Sequence, residues 1–254
     1  MTLPGWPLLV GAALAAGGLN AIAGGGSFLT FPALVFTGVP PIAANATSAV
    51  VLSPGYLGSV LGFRAELGGQ RRARLVREGI LSGAGGIAGA LLLLATPART
   101  FSRVVPWLIL FATTAFVLGP RLVAYRARTQ GAGDGPAHPA AESLGLFAIA
   151  VYGGYFNGGL GILLMALYAL TGVSSVHTAN ALKIFDSFVL SLVSVSAFIW
   201  AGIVRWPQAA VMMAAAALGG FLGARLALRL PAAWVRGVVV AAGLVMAVLF
   251  FLKA

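Results

Sequence analysis

Gly24-Gly25-Gly26-Ser27 interrupts an apolar run that starts at Trp6 and resumes from Phe28 to Val39. A second interruption, Asn157-Gly158-Gly159-Leu160-Gly161, divides the apolar run from Leu144 to Val173. Glycine loses the most backbone freedom on entering a helix, so such clusters read as helix breaks. Each break is followed by a short apolar piece ending in one tripeptide, Thr37-Gly38-Val39 and Thr171-Gly172-Val173, 134 residues apart. The first piece spans only ~18 Å if helical, short of a ~30 Å hydrocarbon core. It contains Pro32, which a helix tolerates best in its first turn. Each piece therefore reads as a half-helix or a strongly tilted short one.

The same spacing recurs. Gly85-Gly86-Ile87-Ala88-Gly89-Ala90 returns as Gly219-Gly220-Phe221-Leu222-Gly223-Ala224, and Pro97-Ala98 as Pro231-Ala232. Ala44-Asn45-Ala46 returns at 135 as Ala179-Asn180-Ala181. Several matches at one spacing indicate an internal duplication. The expected fold is an all-α polytopic membrane protein of two homologous halves, 1–120 and 144–254. Each half has a glycine-broken first helix and half-helix followed by three membrane helices. Arg121 to Ser143 holds Gly131, Gly133, Asp134, Gly135, Pro136, His138 and Pro139 and reads as a flexible polar linker.

Of the 254 residues, 60% are hydrophobic and 8% charged. A soluble domain carries about 25% charge, so the balance points to the bilayer. The start of the chain lacks Lys and Arg before Val10, so the first apolar segment is expected to be retained rather than cleaved. There is no cysteine, which removes disulfides and thiolate metal sites. The net charge of +11 comes mostly from arginines between apolar segments, as positive-inside bias expects, and no aromatic-interleaved basic surface suggests nucleic acid. If each break lies between two traverses, the halves are inverted. Eleven arginines, at 64–77, 121–128 and 225–236, then share one face. If each broken segment traverses once, the halves are parallel and the bias is weaker by one charge. The count leans to inversion.

A broken helix exposes amide groups without internal partners at the positive end of a helix dipole. Inside a bilayer these must face protein or a watery cavity, and an anion is a natural partner. The expected substrate-binding set is Gly24, Gly25, Gly26 and Ser27 from the first break and Asn157, Gly158, Gly159 and Gly161 from the second. Asn45, Thr47, Ser48, Asn180 and Lys183 flank them, and Asn20 is a further amide near the first break. The alternative is that the glycines only allow close packing, the preferred reading for Gly85-Gly86-Gly89 and Gly219-Gly220-Gly223. Neither break has the residues of a nucleotide-binding loop.

Lys183 and Asp186 are the only charges in the apolar run that follows Thr178. A charge in the membrane costs at least ~2.5–3.5 kcal/mol, so it is paired or functional. Their three-residue spacing places them on one helix face. Two readings stand. In one, Lys183 neutralises the anion and Asp186 carries a coupling proton. In the other, the two form a structural ion pair. His138 reads as a linker residue and His177 as interfacial. The Trp residues fall near segment ends, as an aromatic belt expects. No clustered acid, base or metal set suggests an enzyme. No cofactor is expected.

The unit Gly24 to Val39, Ala179-Asn180-Ala181-Leu182-Lys183, Trp206-Pro207, Gly219-Gly220 through Arg225, and the turn Pro231 to Arg236 together resemble the sulfite exporter TauE/SafE family of membrane permeases. The resemblance covers essentially the whole chain. It implies proton-linked secondary transport of sulfite, a sulfonate or a related small organosulfur anion in a prokaryotic inner membrane. The partners so implied are a small anionic substrate and the lipid bilayer, with the protein a monomer or homodimer. A passive anion channel, or a permease for another small anionic metabolite, is the alternative.

Overall fold

The computed structural model describes residues 5–23, 25–129, 139–173, 175–226 and, in the last segment, 237, 240–241, 243–245, 247–248 and 250–251. Among these residues every regular element is helical. In order they are α1 (Gly5–Ala23), α2 (Ser27–Phe36), α3 (Pro41–Gly62), α4 (Arg64–Gly68), α5 (Arg72–Ala95), α6 (Ala98–Thr129), α7 (Pro139–Tyr155), α8 (Leu160–Leu170), α9 (Val176–Trp200) and α10 (Trp206–Leu226). Arg72–Ala95, Ala98–Gly119 and His177–Trp200 are long and apolar enough to cross a membrane by length and composition. Both glycine interruptions are breaks between helices, and α2 and α8 are the two half-helices, of 10 and 11 residues.

The repeated Thr-Gly-Val tripeptide has one physical meaning in both places. Gly38 and Gly172 adopt φ of 88° and 86°, a left-handed backbone that side chains resist. In the first copy Gly38 N–H donates to the Val35 carbonyl and Val39 N–H to that of Leu34. In the second, Val173 N–H donates to the Tyr168 carbonyl. These bonds satisfy the last carbonyls of a helix and stop it. The threonines add side-chain bonds to the Leu34 and Leu167 carbonyls. Pro32 lies inside α2 rather than in its first turn.

Two stretches differ from the sequence expectation. The arginine-rich stretch 64–77, read as lying between apolar segments, is largely helical: Arg64 to Glu78 spans α4 and the first two turns of α5, so Glu78 enters the buried interior. Its side of α5 steps through Arg74, Glu78 and Ser82, one helical face. The expected linker is also partly helical. Helix α6 continues through Arg121-Leu122-Val123-Ala124, of which Arg, Leu and Ala favour helix, to Thr129, and α7 starts at Pro139, a residue suited to a helix start. Residues 130–138, including His138, lie outside the described residues.

Packing pairs the elements in a matched way. At the 134-residue spacing α5 corresponds to α10 and α1 to α7. Helix α1 packs most extensively on α10, and α5 on α7. A Cβ added to Gly219 would meet the Leu14 carbonyl, and one added to Gly85 would meet that of Phe147. Gly17, Gly89 and Gly154 likewise press on facing backbone, so these glycines let helix axes approach. This places Gly85, Gly89 and Gly219 in the packing role expected of them; the contacts of Gly223 lie outside the described set. Gly79 lies against Phe185, Gly83 against Val189, and Gly86 against Leu190 and Val193, so α5 and α9 run in one direction. The start of α3 lies against the segment that follows α9, and α4, which follows α3, packs on α9. Helices α3 and α9 therefore run oppositely.

Candidate functional site

The two breaks meet. The Ser27 hydroxyl, at the start of α2, donates to the main-chain carbonyl of Asn157 at 3.2 Å, joining residues 130 apart in the chain. Gly25, Gly26, Ser27, Asn157, Gly158 and Gly159 are all buried. Gly24 lies outside the described residues. Gly159 takes a left-handed φ of 76° as the residue that starts α8, and a Cβ there would sit 3.0 Å from Ala112 of α6 and 3.5 Å from the Phe28 ring. The second break thus rests on α6 and on the half-helix of the first.

Around the breaks, polar groups hold the backbone. Asn45 of α3 donates its amide to the Tyr155 carbonyl at 3.0 Å, capping the last turn of α7. Tyr152 donates to the Gly158 carbonyl at 2.6 Å. The Tyr56 hydroxyl of α3 lies against the Asn157 side chain. Among the described residues, the N–H groups of Gly158, Gly159, Leu160 and Gly161 meet no acceptor. They point from the N-terminal end of α8, where such donors gather. The buried Oδ1 atoms of Asn157 and Asn20 also lack partners.

The space between the breaks is small in this arrangement. A cavity of about 10 Å³ is bordered by Ser27, Phe28, Phe31, Phe156 and Gly158. A larger one, about 390 Å³, lies beside the first break between α1, α3 and α10, and Asn20, Gly55 and Ser59 border it.

The remaining residues of the expected set are placed as follows. Thr47 accepts the Arg205 N–H at 3.0 Å, and Ser48 shares a hydrogen bond with Thr30 at 2.5 Å. Gly161 is buried in the first turn of α8, and Asn180 is half-buried on α9. Lys183 is half-buried and forms no salt bridge among the described residues. Asp186 is buried, and its partners are not Lys183. Ser82 donates to Asp186 Oδ1 at 2.9 Å, and Tyr168 donates to Oδ2. The Lys183–Asp186 ion pair is thus corrected: α9 turns Asp186 toward α5 and α8, whose hydroxyls satisfy both oxygens. Glu78, also fully buried, is absent from the expected set, because the arginines just before it read as a stretch between apolar segments. The signal was present in the four-residue steps from Arg74 to Ser82.

The sulfite exporter TauE/SafE profile matches residues 9–250. The chain belongs to the sulfite exporter TauE/SafE family. Among the relatives of this TauE/SafE protein, a "Probable membrane transporter protein" of Haemophilus influenzae is 31% identical over 82% of this chain and 79% of its own. "Probable membrane transporter protein ORF9" of Sinorhizobium sp is 28% identical over 86% of this chain and 80% of its own. "Probable membrane transporter protein YfcA" of Escherichia coli K12 is 28% identical over 88% and 81%. No solved structure matches. This TauE/SafE protein is a membrane transporter, and its helix breaks are the features that set it apart from a plain bundle of crossings.

Proposed function

We propose that this chain is a secondary transporter moving a small organosulfur anion, sulfite or a sulfonate, across the cell membrane in which it is embedded as a multi-pass protein. The observation that carries the reading is the Ser27–Asn157 bond, which joins helix breaks contributed by two separate stretches of one chain. Breaks so placed supply amides and a hydroxyl to an anion. Lys183 supplies positive charge, and Asn45, Thr47, Ser48 and Asn180 shape the surroundings. The closed space of about 10 Å³ means that the breaks must part to admit a solute. Asp186 links that movement to a proton. The protein works as a transporter rather than a catalyst.

The two halves are inverted repeats in this account. The opposite run of α3 and α9, equivalent elements at the 135-residue offset, supports inversion, since a two-fold axis along the membrane normal would make them parallel. Matched contacts of α1 with α10 and α5 with α7 support the duplication. Rocking of one half against the other then alternates access.

The test is uptake into proteoliposomes of sulfite, thiosulfate, sulfate, taurine and sulfoacetate, with and without an imposed pH gradient. Accumulation of sulfite or a sulfonate above its outside concentration is expected. Flux that only equalises concentrations makes the protein a channel, and preference for sulfate over every reduced or organic sulfur anion removes the substrate class.

A further inference from the structure

Helix α5 carries a polar face into the protein. Arg74 Nε donates to Glu78 Oε1 at 2.8 Å, and its Nη2 to Glu142 Oε1 of α7 at 3.2 Å. Arg77 donates to the same Glu142 oxygen at 2.8 Å. The Arg74 guanidinium stands 6.0 Å over the Tyr168 ring, and Tyr168 and Ser82 hold Asp186. A connected series thus runs from Arg77, whose side chain is 39% exposed, to the buried Asp186. The second oxygen of Glu78, Oε2, is buried and has no partner among the described residues.

Among the described residues, two guanidiniums, Arg74 and Arg77, pair with Glu78 and Glu142, and Asp186 is a third carboxyl group, reached through Tyr168. Lys183, one turn before Asp186 on α9, is salt-bridged to none of them. The series is neutral when one carboxyl group holds a proton. An ionised carboxylate with a buried, unbonded oxygen is costly, whereas a neutral acid there leaves only one O–H unmet. Asp186 already accepts a hydrogen bond at each oxygen, and Glu78 does not.

The matching place in the chain is apolar. At the 134–135 spacing, Glu78, Ser82, Tyr168 and Asp186 correspond to Met212, Ala216, Leu34 and Val51, all buried. The fold builds this packing once without any carboxyl group, so a purely structural need does not explain the acids.

We propose that Glu78 and Asp186 share one exchangeable proton, held at Glu78 Oε2 in this arrangement, and that this proton is the ion moved with the anion. Release breaks the O–H bond heterolytically. The proton passes to water at the Arg77–Glu142 end, and the Glu78 carboxylate remains paired with Arg74. One such site per chain gives one proton per cycle. This rests on the transport reading above and names its coupling site.

Two measurements test it. In proteoliposomes with labelled sulfite, Glu78→Gln and Asp186→Asn should each lose at least ten-fold of pH-gradient-driven accumulation while keeping sulfite–sulfite exchange. Wild-type accumulation in Glu78→Gln, or accumulation driven by an imposed sodium gradient in place of protons, overturns the proposal. Independently of any substrate, infrared spectroscopy should find a protonated, deuterium-exchangeable carboxyl band in the purified protein. The band is assignable because the chain has five Asp and Glu residues. It should vanish in Glu78→Gln and in Asp186→Asn. A band absent from wild type, or unchanged in Glu78→Gln, overturns the proposal even if sulfite is transported. Should no anion move, the transport reading fails while the infrared result still decides the proton site. If the single variants do not fold, Glu78→Met with Asp186→Val copies the apolar counterpart and takes their place in both measurements, with the same expected losses.

Discussion

The hydroxyl of Ser27 donates to the carbonyl of Asn157, so the start of one half-helix is tied to the loop that precedes the other. Ser27→Ala removes a buried neutral hydrogen bond, a loss of about 0.5–1.5 kcal/mol, and leaves the Asn157 carbonyl bare. A modest drop in thermal midpoint is expected, together with weaker sulfite binding, since the proposed site uses the same hydroxyl. Calorimetry on purified protein checks both. Full affinity in this variant would exclude the hydroxyl from the site.

Lys183 behaves differently. It has no salt-bridge partner among the described residues, and a half-buried ammonium without one contributes little to folding. Lys183→Ala should leave the melting temperature unchanged or slightly raised. Sulfite affinity should fall roughly ten-fold or more, the scale of one charge-assisted hydrogen bond of about 1.5–3 kcal/mol. Unchanged affinity removes Lys183 from the site.

Thr47 offers the opposite expectation. Its hydroxyl oxygen satisfies the Arg205 N–H at 3.0 Å. Thr47→Val keeps the shape and leaves that N–H unmet, at a cost of about 1–3 kcal/mol. Stability in a denaturation series should drop while sulfite affinity stays within two-fold. A large affinity loss without destabilisation would return Thr47 to the anion's immediate surroundings.

Adjacent glycines separate packing from composition. A Cβ at Gly219 runs into the Leu14 carbonyl, whereas one at Gly220 finds its nearest atom at 3.7 Å. Gly219→Ala should destabilise by ~1–3 kcal/mol, as overpacking does, and Gly220→Ala should be tolerated. Gly89→Ala, which meets Val151 backbone, should resemble Gly219→Ala. Thermal melts in detergent decide, and equal melts for the two neighbours would contradict the packing.

The helices were legible because their punctuation is local. Gly25-Gly26, Gly158-Gly159 and the two Thr-Gly-Val stops act through main-chain conformation, which a sequence displays directly. Glu78 was not legible, because it follows five arginines that resemble a loop, and only the register of α5 reveals that it faces inward. Nor could Asp186's partners be read: Ser82 is 104 residues away, and the pairing depends on how α5 lies along α9. The meeting of Ser27 with Asn157 was anticipated from repetition and opposed breaks, though the hydroxyl-to-carbonyl contact itself needed coordinates. Asn45 and Thr47 are expected near the anion as hydrogen-bonding side chains; in this arrangement they hold the main chain at Tyr155 and Arg205.

The most direct test of the account addresses the backbone donors, which truncation of a side chain does not remove. Solid-state NMR of uniformly labelled protein in bilayers would compare amide shifts with and without sulfite. The account predicts the largest changes at the N–H groups of Gly26, Ser27 and Gly158 through Gly161. Changes confined to the cavity bordered by Asn20, Gly55 and Ser59, with the two breaks unaffected, would contradict it.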